Sequence, residues 1–247
     1  MDVLVPFAAE RPKTRLSDTL SLADRRAFAA AMLTDVLAAV DGADCTPELL
    51  TTEPVELTAL PTEAVAWGDP SEWTVSQTVD ERRLEDAVNA VLADREPNHE
   101  EPLGVVMADL ALASPAAVRR LVEPRPTRPP PSRADEAATE SSEESAQTAD
   151  IVIAPGLGGG TNAVVVRHPA FRVDYHGASV RDHRQIASEL DATVREVDSR
   201  RLATDIDRRS DLAEVLLHGE GAARDWLVDA GFRLVTGNGR VGVERVE

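Results

Sequence analysis

Short apolar runs that alternate with stretches of helical periodicity constrain this chain more than any other feature of its sequence. Strand-like runs occur at Asp2–Ala8, Glu48–Thr52, Pro102–Asp109, Ile151–Ala154, Ala163–Val166 and Thr193–Val197. Between them lie segments whose apolar residues recur every three or four positions, the spacing of one helix face. Ser21 reads as an N-cap with Asp24 at its third position, opening a helix whose core face is Phe28, Ala31, Met32, Val36 and Leu37. Leu84–Leu92 carries Leu84, Val88, Val91 and Leu92 on one side, and Ser114-Pro115 opens a helix through Leu121. Val180–Leu190, Leu212–Leu217 and Ala222–Ala230 read as further helices, and the tail suggests a hairpin around Asn238-Gly239. Strands traded with helices predict a mostly parallel, mixed sheet covered on both faces, a three-layer αβα arrangement.

Two regions break the rhythm. Pro54–Trp73 has no pattern that assigns it to either period. From Glu123 to Ala149 the composition turns to prolines and arginines and then to Ser, Glu and Ala, with no apolar face. Such a segment cannot offset its ordering entropy and is expected to be a disordered surface insertion. Because the alternation resumes after it, residues 1–247 are expected to form one domain with the insertion at 123–149.

Charge narrows the function classes. The chain has 44 acidic against 26 basic residues, a formal net charge of −18, and a single lysine, Lys13. That balance repels nucleic-acid backbones and anionic bilayers, so neither is expected as a partner. It also suits a salt-adapted protein, in which high ionic strength screens the self-repulsion. One cysteine, Cys45, excludes an internal disulfide, and no Cys/His spacing suggests zinc. With no membrane-length apolar run and no cleavable leader, the expected location is the cytoplasm.

Five features could carry chemistry. The stretch IVIAPGLGGGTNAVVV, residues 151–166, sets four glycines and Thr161 between two runs rich in β-branched residues. It lacks the lysine of a P-loop and opens no helix as a dinucleotide fingerprint does, so it is either an anion cradle at a strand's C-terminal end or a plain hairpin. Asp109 ends an apolar strand, where it either presents a carboxylate at the mouth of the sheet or turns the chain. Asp205 and Asp207, two residues apart, would face one side of an extended backbone and suit a hard cation such as Mg²⁺. Alternatively, Asp207 begins the next helix, or the pair belongs to the acidic surface. Lys13, with Arg15, follows the first strand, where a compact point charge could grip phosphate. It could equally be a surviving surface lysine. The histidines at 99, 168, 176, 183 and 218 show no ligand spacing. The loop Tyr175-His176-Gly177-Ala178-Ser179 leads into a helix whose N-terminus could bind an anion.

Taken together, PFAAERPKTRLSDTLSLADRRAFAAAMLTDVLAA, VVMADLALA, IAPGLGGGTNAVVV, FRVDYHGASVRDH and LATDIDRRSDL resemble, in order, the 2-phospho-L-lactate guanylyltransferases of coenzyme F-420 biosynthesis. The resemblance implies a nucleotidyltransferase fold of the glycosyltransferase-A type. It implies transfer of GMP from GTP to the phosphate of 2-phospho-L-lactate, releasing pyrophosphate; relatives use phosphoenolpyruvate. By the family's pattern Asp109, Asp205 and Asp207 would hold magnesium, and Lys13 and Arg15 would contact the nucleotide's phosphates. Thr161, Gly177 and Ser179 would bind the acceptor's phosphate. Some relatives carry Gly-Pro-Gly-Ser where this chain reads His176-Gly177-Ala178-Ser179. A homodimer is expected. The alternatives are another nucleotidyltransferase of the same fold, of sugar-phosphate or molybdopterin type, and a non-catalytic GTP-binding module.

Overall fold

The computed structural model describes residues 1–8, 10, 12–61, 73–124, 148–237 and 239–246. Most of the region expected as an insertion at 123–149, and the middle of the unassigned Pro54–Trp73 region, lie outside the described residues.

A seven-stranded mixed sheet forms the centre. Its strands are β1 (Asp2–Phe7), β2 (Thr46–Thr51), β3 (Ser76–Val79), β4 (Leu103–Val106), β5 (Ile151–Pro155), β6 (Thr161–Val166) and β7 (Val194–Glu196), in the order β3-β2-β1-β4-β6-β5-β7. β1, β2, β3 and β4 run parallel, β6 runs antiparallel to β4 and β5, and β7 is parallel to β5. The mostly parallel, mixed sheet expected from the alternation is therefore present. β3 was not foreseen: all four of its residues are exposed, so it has no apolar alternation, and pairing with β2 from Glu48 to Thr51 is what makes it a strand.

The helices are α1 (Leu22–Asp41), α2 (Leu84–Arg95), α3 (Pro115–Val122), α4 (Ser179–Glu189), α5 (Arg200–Ala203), α6 (Asp211–His218) and α7 (Ala222–Asp229). Successive strand residues point to opposite faces, and this splits the core in two. Val3 and Val5 join Leu33, Val36, Val40, Val118 and Leu121 on the α1/α3 side, whereas Leu4 joins Val88, Leu92, Val105, Ile153 and Phe171 on the α2/α4 side. A third cluster, with Leu16, Phe28, Met32, Ile206, Leu227 and Phe232, ties α1 to α6, α7 and the hairpin β8 (Phe232–Gly237) and β9 (Arg240–Arg245).

Two predicted caps are formed. Ser21 Oγ accepts the Asp24 N–H at 3.1 Å, and Ser114 Oγ accepts that of Ala117 at 3.4 Å, with Pro115 in the first turn of α3. α1 departs from a one-faced amphipathic helix: every residue from Ala31 to Val40 is buried, because α7 and α3 cover the flanks that the sheet leaves open. Leu84, assigned to the core face of α2, is 40% exposed at the helix start.

Candidate active site

The direction of chain progression reverses between β1 and β4, since β2 lies on one side of β1 and β4 on the other. In open α/β sheets the crevice at such a switch point, beyond the strands' C-terminal ends, is where ligands bind. A cavity of about 340 Å³ opens there, within the size range of small-molecule sites. Its walls include Phe7 after β1, Thr51 and Thr52 after β2, Asp80 and Arg82 after β3, and Asp109 after β4, with Lys13 on one side.

Lys13 occupies a left-handed backbone conformation, φ 52°, ψ 49°, uncommon for a residue with a side chain. The turn Thr14–Leu16 that follows is anchored by Leu16, which is fully buried. This backbone turns the ammonium inward, so that the side chain is 10% exposed. Lys13 Nζ donates to Asp109 Oδ2 at 2.7 Å and lies 3.5 Å from Asp207 Oδ1. Arg15 pairs with the other oxygen of Asp207. The Ile206 N–H donates to the Asp109 carbonyl at 3.2 Å, so the residue between Asp205 and Asp207 is stitched to the turn that bears Asp109.

The acidic residues differ in surroundings. Asp109 stands in the turn three residues beyond the end of β4, and its buried Oδ1 has no hydrogen-bond partner among the described residues. Asp207 does not cap α6 with its side chain. Asp211 Oδ2 instead accepts the N–H groups of Asp207 and Arg208, leaving the Asp207 carboxylate for Lys13 and Arg15. Asp205 Oδ1 accepts from Asn162 Nδ2 at 3.4 Å, and the same amide nitrogen donates to the Leu202 carbonyl at 2.9 Å. Residues Thr204–Asp207 are irregular and not a strand, so the two carboxylates meet different partners. A carboxylate oxygen that is buried and unpaired, next to a second carboxylate reached by the same ammonium, is a donor set that suits a hard divalent cation.

The glycine loop forms a hairpin, β5 to β6, with a register shift at Ala154/Pro155 and Gly159 at φ 84°. It also faces the start of α4: a Cβ on Gly160 would lie 4.0 Å from Ser179 Oγ, and one on Gly159 3.9 Å from the Ala178 Cβ. Hairpin and cradle are thus compatible readings of one loop. Ser179 Oγ accepts the Thr161 N–H at 2.8 Å, and Thr161 Oγ1 lies 2.8 Å from His183 Nδ1. Gly177 is at φ 58°, and among the described residues nothing accepts the N–H groups of Gly177, Ala178 or Ser179. Consecutive free N–H groups at a helix start form a concavity for anions. Thr161 and Asn162 open β6 beside Met107, whose N–H donates to the Asn162 carbonyl at 3.0 Å, so this concavity adjoins the aspartates.

Sequence reasoning missed Asp80 and Arg82. Arg82 forks onto both Asp80 oxygens, with Nε at 2.9 and 3.1 Å and Nη2 at 2.5 Å, and this pairing holds the carboxyl below its usual range. Both follow the unforeseen β3, and no local signal marks them. Among the described residues, Glu85, Asp174 and His176 form the one trio of candidate ligands within 4.8 Å of one another. His176 Nδ1 lies 2.9 Å from each carboxylate, and its proton is held more tightly than usual, first by the bond to Asp174 and then by the charge of Glu85. These contacts make the three side chains an ion-paired cluster, with Glu85 on α2 and Asp174 and His176 in the loop before α4.

An open, mostly parallel sheet with a ligand-sized cleft at its switch point and carboxylates at the rim defines a nucleotidyltransferase-type α/β fold. A solved structure from Desulfovibrio desulfuricans, described as a nucleotide-diphospho-sugar transferase, matches it with a TM-score of 0.60 at 13% identity, covering 93% of this chain and 95% of that one. The sequence is more specific. Residues 1–127 and 135–246 match the family described as Guanylyl transferase CofC like, and the chain belongs to that family. It is 47% identical to the 2-phospho-L-lactate guanylyltransferase of Haloarcula marismortui over 99% of both chains. It is 49% identical to the protein of the same name from Halorubrum lacusprofundi, over 99% of this chain and all of that one. Among the described residues, no helix is long and apolar enough to cross a membrane.

Proposed function

We propose that this protein transfers GMP from GTP to the phosphate of 2-phospho-L-lactate, or of phosphoenolpyruvate, releasing pyrophosphate, as a step of coenzyme F-420 biosynthesis. The observation that carries the reading is the ammonium of Lys13 between Asp109 and Asp207, beside a buried Asp109 oxygen that has no partner among the described residues.

In this reading Asp109, Asp205 and Asp207 hold Mg²⁺, which when bound neutralises charge on the nucleotide's phosphates. Lys13 and Arg15 bind those phosphates, exchanging carboxylate partners for phosphate oxygens. The N–H groups at Gly177 and Ser179, with the hydroxyl of Thr161, hold the acceptor's phosphate so that one of its oxygens faces the α-phosphorus in line. No protein nucleophile is needed, because that oxygen itself forms the new P–O bond while the bond to pyrophosphate breaks. The protein's contribution is orientation and charge compensation. Residues 1–247 act as one nucleotidyltransferase domain in a cytoplasmic homodimer, adapted to high salt by the net charge of −18.

The test is to incubate the protein with GTP and magnesium in concentrated KCl, with 2-phospho-L-lactate or phosphoenolpyruvate, and to weigh the product. A mass equal to the acceptor plus GMP, with pyrophosphate released, is expected. Nucleotide binding without pyrophosphate from either acceptor would sink the proposal and favour a binding module. Turnover only with sugar phosphates or a pterin acceptor would favour the other nucleotidyltransferases.

A further inference from the structure

His183 is fully buried on α4, packed edge-on against Tyr175 with ring centroids 5.5 Å apart and tilted against Phe171 at 5.9 Å. Each of its ring nitrogens has one partner. Nε2 lies 2.9 Å from the backbone nitrogen of Asp174, and Nδ1 lies 2.8 Å from Thr161 Oγ1. A backbone N–H can only donate, so Nε2 must accept. In a neutral ring the proton then resides on Nδ1 and is donated to the threonine oxygen. Burial favours the neutral ring, pushing its pKa down to about 4 despite the nearby Asp174 and Asp182.

The consequence reaches Thr161. With its oxygen already accepting from His183, the hydroxyl keeps its own proton to donate, and among the described residues no acceptor meets it. Ser179 repeats the logic one step along: its Oγ accepts the Thr161 N–H, and its hydroxyl proton likewise has no acceptor among the described residues. Two buried hydroxyls are thereby committed as donors beside the free N–H groups at the start of α4, which is the polarity a phosphate requires.

We propose that His183 is a positioning residue: locked as the Nδ1-protonated tautomer by the Asp174 N–H, it holds Thr161 so that the threonine hydroxyl donates to the acceptor's phosphate. This rests on the assignment of Thr161 to the acceptor, made above, and deepens it. A histidine that merely filled the core could share this tautomer, which the Asp174 N–H fixes, but it would not act on the acceptor through Thr161.

Two measurements on the full chain test it. In spectra of ¹⁵N-histidine-labelled protein at neutral pH, the His183 ring should show Nδ1 protonated and Nε2 bare; the opposite tautomer, or a charged ring, overturns the proposal. This arm needs no variant and no turnover, so it stands even if the acceptor is not phospholactate. In steady-state kinetics with GTP and 2-phospho-L-lactate, His183→Leu should raise the KM for the acceptor about 10- to 100-fold, the range for losing a hydrogen bond to a charged group. The KM for GTP should stay within about twofold. His183→Asn, whose amide can donate from near the Nδ1 position, should recover part of the loss. In a Thr161→Val background, His183→Leu should add little, because the group through which it acts is gone. Equal rises in both KM values, no rescue by asparagine, or losses that multiply in the double variant would each overturn the proposal. Absence of any turnover by the unaltered protein would count against the functional reading alone.

Discussion

Lys13 Nζ donates to Asp109 Oδ2 at 2.7 Å, a contact that spans 96 positions and joins the loop after β1 to the turn after β4. It is the one place where the chain's only lysine is used, and arginine, supplied in abundance elsewhere, does not replace it there. A compact ammonium brings its donors to one point near both carboxylates, whereas a planar guanidinium spreads its donors over a wider, rigid fork.

Lys13→Arg should therefore lose activity almost as fully as Lys13→Met, by about 10²- to 10³-fold in kcat, the range for removing one preorganised electrostatic contact. Pyrophosphate release measured with saturating GTP checks this. An arginine variant within a few-fold of the natural protein would show that position 13 needs only a positive charge.

Asp109→Asn keeps shape and removes charge. Among the described residues its Oδ1 has no partner to lose, and an asparagine oxygen in place of Oδ2 can still accept from Lys13, so the fold should persist, with circular dichroism unchanged, while pyrophosphate release falls to background. The stabilisation of the unaltered protein by magnesium with GTP, read as a rise in Tm, should shrink in the variant. An undiminished rise would remove Asp109 from the cation site.

Gly156 couples the glycine loop to the aspartates. A Cβ there would come within 2.5 Å of Asn162 Oδ1 and 2.9 Å of its Cγ, so Gly156→Ala forces a shift at the side chain whose amide bonds Asp205 and Leu202. Overpacking of this kind costs about 1–3 kcal/mol. The expected outcome is a moderate fall in Tm and a larger, at least tenfold, fall in kcat, about 1.4 kcal/mol in the barrier. A Tm loss with unchanged turnover would show that Asn162 serves the fold alone.

Acid stability contains two opposed contributions. Burial depresses His183 from 6.5 to about 4, so its stabilisation is present above 6.5 and is lost as pH falls through 4. Burial raises Asp35 from 3.8 to about 7, outweighing the N–H groups of Ala222 and Ala223 that favour its charged form. The stabilisation from Asp35 is full below 3.8 and is lost as pH rises through 7. The windows overlap, so the two slopes offset each other in the natural protein. His183→Asn should expose a Tm that falls as pH rises from about 4 to 7, and Asp35→Asn a Tm that rises over the same interval. Parallel Tm profiles for both variants and the natural protein would dismiss these groups as the source.

What the sequence by itself determined were the features held within a few residues: the caps at Ser21 and Ser114, the two strands that flank the glycine loop, the alternation that makes a covered, mostly parallel sheet. Each rests on a local hydrogen bond or a short apolar period, which a window of the chain contains entire. The family resemblance pointed to Lys13, Asp109 and Asp207 as one group, but their partnership is visible only when β1 and β4 lie side by side and the Ile206 N–H closes onto Asp109. Tertiary structure alone made a strand of Ser76–Val79 and thus brought Asp80 and Arg82 to the cleft, and it alone chose the partners of His183. Such choices depend on register and on loop closure between segments far apart in the chain, and the energy that fixes them belongs to contacts that no local stretch of residues possesses.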